Sequence, residues 1–308
     1  MVMIETVSLD SAASFVDLLM PNNPAWEGAP WIFRGHGDSR YDLLPSMERW
    51  DHGMERFAWE PYLLSSVRAR LEQVYEGKSY IPFAEAAETH TTIDFTQRLV
   101  RAGLQAWGSE RFVRDVMVPA GHDTEAFYRM QSNESAYGRL PLVAMAQHYG
   151  LPTRLLDWSR NALVAAYFAV NERLSDAGSE VCVWAFNTDA IINFAGVDLV
   201  SLPAFGYNNM LSQEGLFTRV NSQWVVSTDN SDNQHLDKAV AAHWNAKPTV
   251  STAFRKLLLP GSQAAKCWLL LHQLRVSAYR LFPGHSGVVQ TQKERLAAIA
   301  ALGHGVPD

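Results

Sequence analysis

Apolar residues recur at helical spacing over residues 8–19, where Leu9, Ala12, Phe15, Val16 and Leu19 share a face, and Pro21-Asn22-Asn23-Pro24 then forces a break. The short aromatic and β-branched run Trp31-Ile32-Phe33 predicts a strand, which leads into Arg34-Gly35-His36-Gly37-Asp38, whose two glycines permit a sharp turn. From about residue 49 to 140 the chain is rich in Ala, Glu, Arg and Leu at helical spacing, as in Val67, Leu71 and Val74. Interruptions near Pro82, Gly103 and Gly121 divide this block into several helices.

The nearly unbroken apolar run Asn161–Val170 predicts a buried helix, and residues 180–186, 215–220 and 254–259 predict strands. Residues 221–245, with Asp229, Ser231, Asp232 and Asn233 close together, predict a loop leading into a polar helix. Residues 264–274 and 292–302 predict helices on either side of a Pro283-Gly284 turn. Long helical material sits between strands without regular βαβ alternation. That pattern predicts an α+β fold with a split mixed sheet and segregated helices, in a single domain over residues 1–308 with a helical insertion at about 50–140.

The stretch His148-Tyr149-Gly150-Leu151-Pro152-Thr153-Arg154-Leu155-Leu156-Asp157-Trp158-Ser159 concentrates polar and ionisable side chains between apolar segments. It reads as a turn at the N-terminus of the 161–170 helix, with Ser159 or Asp157 accepting the first free N–H groups. Such an end suits a phosphate or carboxylate, and Thr153, Arg154 and Ser159 offer further donors. The alternative is purely structural: Asp157 and Ser159 cap the helix while Arg154 pairs with Asp157.

Arg34, between an aromatic strand and two glycines, is a candidate ligand residue, and His36 in the same turn is expected to be exposed for chemistry. Asp157 beside the indole of Trp158 is a candidate acid or base. Trp158 and Tyr149 could stack on a planar ring, while His148 at a helix end reads as a packed or capping residue.

Charge and composition narrow the classes of partner. The formal net charge is −6, with 32 acidic and 26 basic residues and no dense Lys/Arg cluster, which disfavours broad duplex binding. The two cysteines, Cys182 and Cys267, lie in apolar runs and read as buried free thiols, so a reducing, cytoplasmic compartment is expected. The N-terminus lacks a basic segment followed by an apolar one, and no apolar run approaches membrane-spanning length, so neither secretion nor membrane insertion is expected. No metal-ligand spacing and no G-x-S-x-G elbow is present, and no metal is assigned.

Phe33-Arg34-Gly35, the 148–159 block, Gln213-Glu214-Gly215-Leu216-Phe217 and Leu281-Phe282-Pro283-Gly284 together resemble the FRG domain family over about residues 30–290. The family occurs largely in bacteria and phages and brings no settled activity. More distantly, the order of an Arg-Gly after the first strand, a Ser/Thr turn opening an Ala-rich helix and a polar residue before a later strand is similar to the ADP-ribosyltransferase fold.

That resemblance implies NAD as the ligand, with Arg34 and Gly35 at its phosphates or ribose, Thr153 and Ser159 on the nicotinamide side, and Gln213 or Glu214 at the third motif. His36, His148, Tyr149, Arg154 and Trp158 would complete the pocket, with Asp157 as a further carboxylate. Gln213, at the family's third-motif position, is a neutral amide, and Glu214 would lie on the opposite face of the strand. The implied functions are an NAD-dependent ADP-ribosyltransferase or NAD glycohydrolase acting as a bacterial or phage toxin or defence effector, or a non-catalytic module that recognises a nucleotide or protein. A nuclease would require a metal site.

Overall fold

The computed structural model describes residues 2–51, 54–75, 81–104, 133–174, 178–201, 211–228, 235–246 and 249–303. The elements in chain order begin with β1 (Val2–Ser8), α1 (Ala12–Leu18), β2 (Trp31–His36), β3 (Trp50–Asp51), β4 (Arg56–Phe57), α2 (Ser65–Tyr75), α3 (Ile81–Arg101) and α4 (Asn133–His148). Then follow β5 (Leu156–Ser159), α5 (Ala162–Asn171), β6 (Val181–Asn187), β7 (Val197–Val200), β8 (Gly215–Val220), α6 (Ser222–Thr228), α7 (Leu236–Ala246), β9 (Thr252–Leu259), α8 (Ala264–Gln273), α9 (Ala278–Leu281) and α10 (His285–Ala301).

Seven strands form one mixed sheet in the order β1-β9-β6-β2-β5-β8-β7, with β1 and β9 parallel and the other pairs antiparallel. The α+β class is as expected, but the helices are not segregated to one side. One apolar layer joins Phe33, Val183, Ala185 and Leu257 to α1, α5, α8 and α10, while the other joins Ile32, Trp158, Trp184, Phe186 and Phe254 to α7. Successive residues of a strand point to opposite faces, so burying both faces produces continuous apolar runs such as β6, which is buried throughout.

Three strands of the seven-stranded sheet depart from the sequence reading, as do β3 and β4, which lie at the start of the block read as helical. β1 and β7 occupy stretches to which the apolar pattern assigns no strand, and β5 runs through the part of the polar block expected to form a turn. At four residues each, β5 and β7 are too short for alternation to announce them. Of the helical block, α2, α3 and α4 lie among the described residues, as does the small β3–β4 ribbon, whereas Gly121 and residues 105–132 lie outside them. Asp229, Ser231, Asp232 and Asn233 also lie outside them.

The glycines of the Arg34–Asp38 stretch do not make a turn, because β2 continues through Gly35 to His36. Gly35 instead lets α5 lie directly on the strand. A Cβ there would stand 2.0 Å from the Ala165 carbonyl oxygen and 2.6 Å from the Ala169 nitrogen. Gly150 does serve a turn: at φ +90° it ends α4, its N–H donates to the Gln147 carbonyl, and that of Leu151 donates to Ala146.

On the α5 face the Glu294 carboxylate is buried among three donors: the Tyr167 hydroxyl at 2.7 Å, the Trp268 indole at 3.1 Å and the Gln290 amide at 3.0 Å. It ties α5, α8 and α10 together through an otherwise apolar layer. Because two backbone atoms of α5 occupy the space a methyl group would need, Gly35→Ala is expected to destabilise the fold by about 3 kcal/mol or more, measured by urea unfolding. A substitution tolerated within about 0.5 kcal/mol would contradict this packing.

Candidate functional site

β2, β5 and β8 bring the separated motifs side by side. Phe33 pairs with Ser159, and Ser159 pairs with Gly215. Phe33–Ser159 is the one register pair between β2 and β5, beyond which Arg34 bridges the two strands. Its Nη1 donates to the Asp157 carbonyl oxygen at 2.8 Å and stands 3.6 Å from the Asp157 carboxylate, while its Nε donates to His36 Nε2 at 2.9 Å. Burial lowers the guanidinium's pKa against the attraction of Asp157, yet arginine stays protonated.

His36 was expected in an exposed turn, but as the last residue of β2 it is only 5% exposed. Desolvation, together with the nearby Arg34 and Arg49 charges, brings its pKa down to about 3, so the ring is neutral. Nε2 accepts from Arg34, and the remaining proton sits on Nδ1, which has no partner in hydrogen-bond geometry; the backbone of Tyr41 is the group favouring that proton.

Asp157 is not a buried carboxyl against an indole. Its side chain is 59% exposed, whereas Trp158, the next residue of the strand, points to the opposite face. Trp158 packs in the core on Phe186 and donates its indole N–H to the Thr218 hydroxyl, so it has no free face for a ligand ring.

Arg154 neither pairs with Asp157 nor faces a pocket. At 2% exposure it donates from Nε to Glu48 at 2.7 Å and from Nη2 to the Val220 carbonyl at 3.0 Å, with Glu85 3.9 Å away. Its backbone N–H donates to Glu88 at 2.6 Å, and the Ser222 hydroxyl donates to Glu85. Burial raises the Glu48 pKa against the pull of Arg154, helped by the neighbouring Glu88 and Glu85 carboxylates. This network joins α3 to the sheet.

Thr153 is also buried, donating its hydroxyl to Gln147 and its backbone N–H to the Ser46 hydroxyl. His148 and Tyr149 end α4 in the open, their rings edge to face at 5.2 Å.

The cap of α5 is neither Asp157 nor Ser159 but Asn161, whose Oδ1 accepts the Leu163 N–H at 3.1 Å. Because β5 extends to Ser159, that hydroxyl lies two residues too early; it accepts the Asn161 N–H at 2.9 Å and donates to the Gln213 carbonyl at 2.7 Å. Gln213 and Glu214 precede β8 rather than alternate along it. The Gln213 amide donates to the Leu281 carbonyl at 3.2 Å, and Glu214, at φ +50°, accepts from the Asn161 amide at 3.1 Å.

Next to this corner a cavity of about 300 Å³ is lined by Leu19, Trp26, Trp31, Phe33, Arg160, Asn161 and Glu214, among others. Phe33 lines it while Arg34 leaves the other face of β2 by alternation, so the candidate arginine and this cavity lie on opposite sides of the sheet. Sequence reasoning passed over Trp26, Arg160 and Asn161. The one available signal was the Arg-Asn pair directly before an apolar helix.

Residues 29–178 match the FRG domain family. The chain carries an FRG domain. Its matched span takes in Arg34-Gly35 and the whole 148–159 block, while Gln213-Glu214 and Leu281–Gly284 lie beyond it. No curated protein and no solved structure matches the chain.

Two outcomes test the electrostatics. Arg154→Met leaves buried carboxylates without their cation and is expected to cost about 3–5 kcal/mol in urea unfolding. For His36, a folded pKa near 3 against 6.5 in the unfolded chain means that the unfolded state takes up the proton first as pH falls. Stability from this group is complete above about 6.5 and lost on the way to 3, so about 2–3 kcal/mol should disappear between roughly pH 7 and 4.5. His36→Gln should flatten that part of the profile; an unchanged slope would contradict a neutral buried imidazole.

Proposed function

We propose that this FRG-domain protein is a recognition module for a nucleotide-class ligand, bound in the cavity beside the start of α5. The observation that carries the reading is the lining itself, where aromatic walls from Trp26, Trp31 and Phe33 face Arg160, Asn161 and Glu214. At about 300 Å³ the cavity is at the lower end of the range for ligand pockets, a size suited to a mononucleotide or one half of a dinucleotide such as NAD.

Trp26 and Trp31 meet edge to face at 5.7 Å, giving a rigid aromatic wall. Arg160 is exposed, and its guanidinium makes no hydrogen bond or ion pair with a described residue. A phosphate supplies the matching charge.

A second reading, NAD-dependent ADP-ribosyl transfer or NAD hydrolysis in a toxin or defence effector, is favoured by one observation: Glu214 is a carboxylate on this cavity. Cleavage of the glycosidic bond sends its electron pair to the departing nicotinamide, and a carboxylate stabilises the positive charge left on the sugar. The hydrogen bond from Asn161 would position Glu214 for that role.

Titration calorimetry with AMP and NAD is expected to show saturable binding, weakened about 10-fold or more by Arg160→Ala. Nicotinamide release, measured in parallel, separates the readings. Binding without release supports the recognition module, whereas release abolished by Glu214→Gln supports catalysis. Absence of saturable binding, or equal affinity in the Arg160 variant, contradicts both.

A further inference from the structure

On the other side of Trp31 lies a second cavity of about 290 Å³, sharing only Ala29 and Trp31 with the first. It opens where β2 begins, β6 ends and β9 begins, and its lining includes Glu27, Trp31, Asn187, Asp189, Ser251 and Arg255. Asn187, the cross-strand partner of Trp31, is only 5% exposed.

The Asn187 side chain is fixed in orientation because its Oδ1 accepts the Asp189 N–H at 3.1 Å, capping a short 3₁₀ turn at Thr188–Ile191. Its Nδ2 protons then meet no acceptor among the described residues. A nearly buried amide on a cavity wall with both donors unused is a group prepared for a ligand acceptor.

Charge decides the ligand class. Arg255 is already engaged, donating from Nε to Glu5 at 2.8 Å and from Nη1 to the Ala25 carbonyl, and lying over the rings of Trp31 at 4.9 Å and Trp26 at 5.5 Å. With Arg255 balanced by Glu5, Glu27 and Asp189 leave the lining anionic, which repels a phosphate or carboxylate. A simple cation would satisfy the carboxylates but leave the Asn187 amide unmet. Hydroxyl groups answer both needs, donating to carboxylates and accepting from the amide.

We propose that this cavity is a second small-molecule site, taking a neutral, hydroxyl-rich ligand of monosaccharide size between Trp31, Asn187 and the Glu27 and Asp189 carboxylates.

The test is saturation-transfer NMR and titration on the full chain with D-ribose and D-glucose, with inorganic phosphate and spermidine as charged probes. Asn187→Asp keeps the capping oxygen and removes the free donors, so sugar affinity should fall at least 10-fold while the circular dichroism spectrum is unchanged. If that variant does not fold, Glu27→Ala on the exposed rim serves in its place and should weaken the sugar several-fold. Arg160→Ala, in the other cavity, should leave sugar binding intact, which separates this site from the proposed nucleotide site. Failure of both sugars to saturate, unchanged affinity in the variant tested, or preference for phosphate or spermidine would overturn the proposal.

Discussion

The contact of α5 with β2 at Gly35 is the constraint on which the surrounding arrangement depends. A helix that places the Ala165 carbonyl where a side chain would stand leaves no room for any residue but glycine. Closing that distance makes α5 follow β5 after only two intervening residues, with Asn161 at the cap and Arg160 at the rim of a cavity. The same closeness joins Phe33 of β2 to the apolar layer that α5 builds with α1 and α8. The Arg-Gly pair thus has a division of labour: glycine admits the helix on one face, and the arginine extends from the other to reach the neighbouring strand.

A second charged strap holds the helical block. Arg154 reaches Glu48 before the β3–β4 ribbon, approaches Glu85 on α3 and donates to the Val220 carbonyl at the end of β8. A buried guanidinium is costly to desolvate, and the contacts that compensate it also fix where α3 sits relative to the sheet. The cost of removing one partner is therefore much greater than the net worth of the pair, because the remaining charges would be stranded.

Much of the architecture was legible in hydrophobic pattern. β8 and the Asn161–Val170 helix stand almost where the apolar runs place them, and Cys182 and Cys267 are buried free thiols whose pKa values burial pushes up to about 12. The motif block was legible as important but not as to its role. In sequence, Arg154 and Asp157 look like natural partners; in the fold, one is interior and the other exposed, because Leu155 and Leu156 carry the chain from loop into the sheet between them.

Which face of a strand a side chain takes depends on where the strand begins, and β5 and the full length of β2 were not apparent from alternation. That is why Trp158 belongs to the core and Arg34 lies across the sheet from the cavity lined by Phe33.

Polar chemistry around the described cavities comes instead from residues at element ends. Asn161 links the cap of α5 to Glu214, and Asn187 caps the turn that follows β6. Trp31 and Ala29 border both spaces, so the aromatic start of β2 is a shared wall.

The central claim is that ligand recognition belongs to the Trp31 and Phe33 side of the sheet, while Arg34 and His36 form a structural strap on the other. Titrating AMP into isotope-labelled protein and following the indole and arginine side-chain signals tests it most directly. The account predicts shifts at Trp26, Trp31 and Arg160 with Trp158 and Arg34 unchanged; shifts centred on Arg34, His36 and Tyr41 would contradict it.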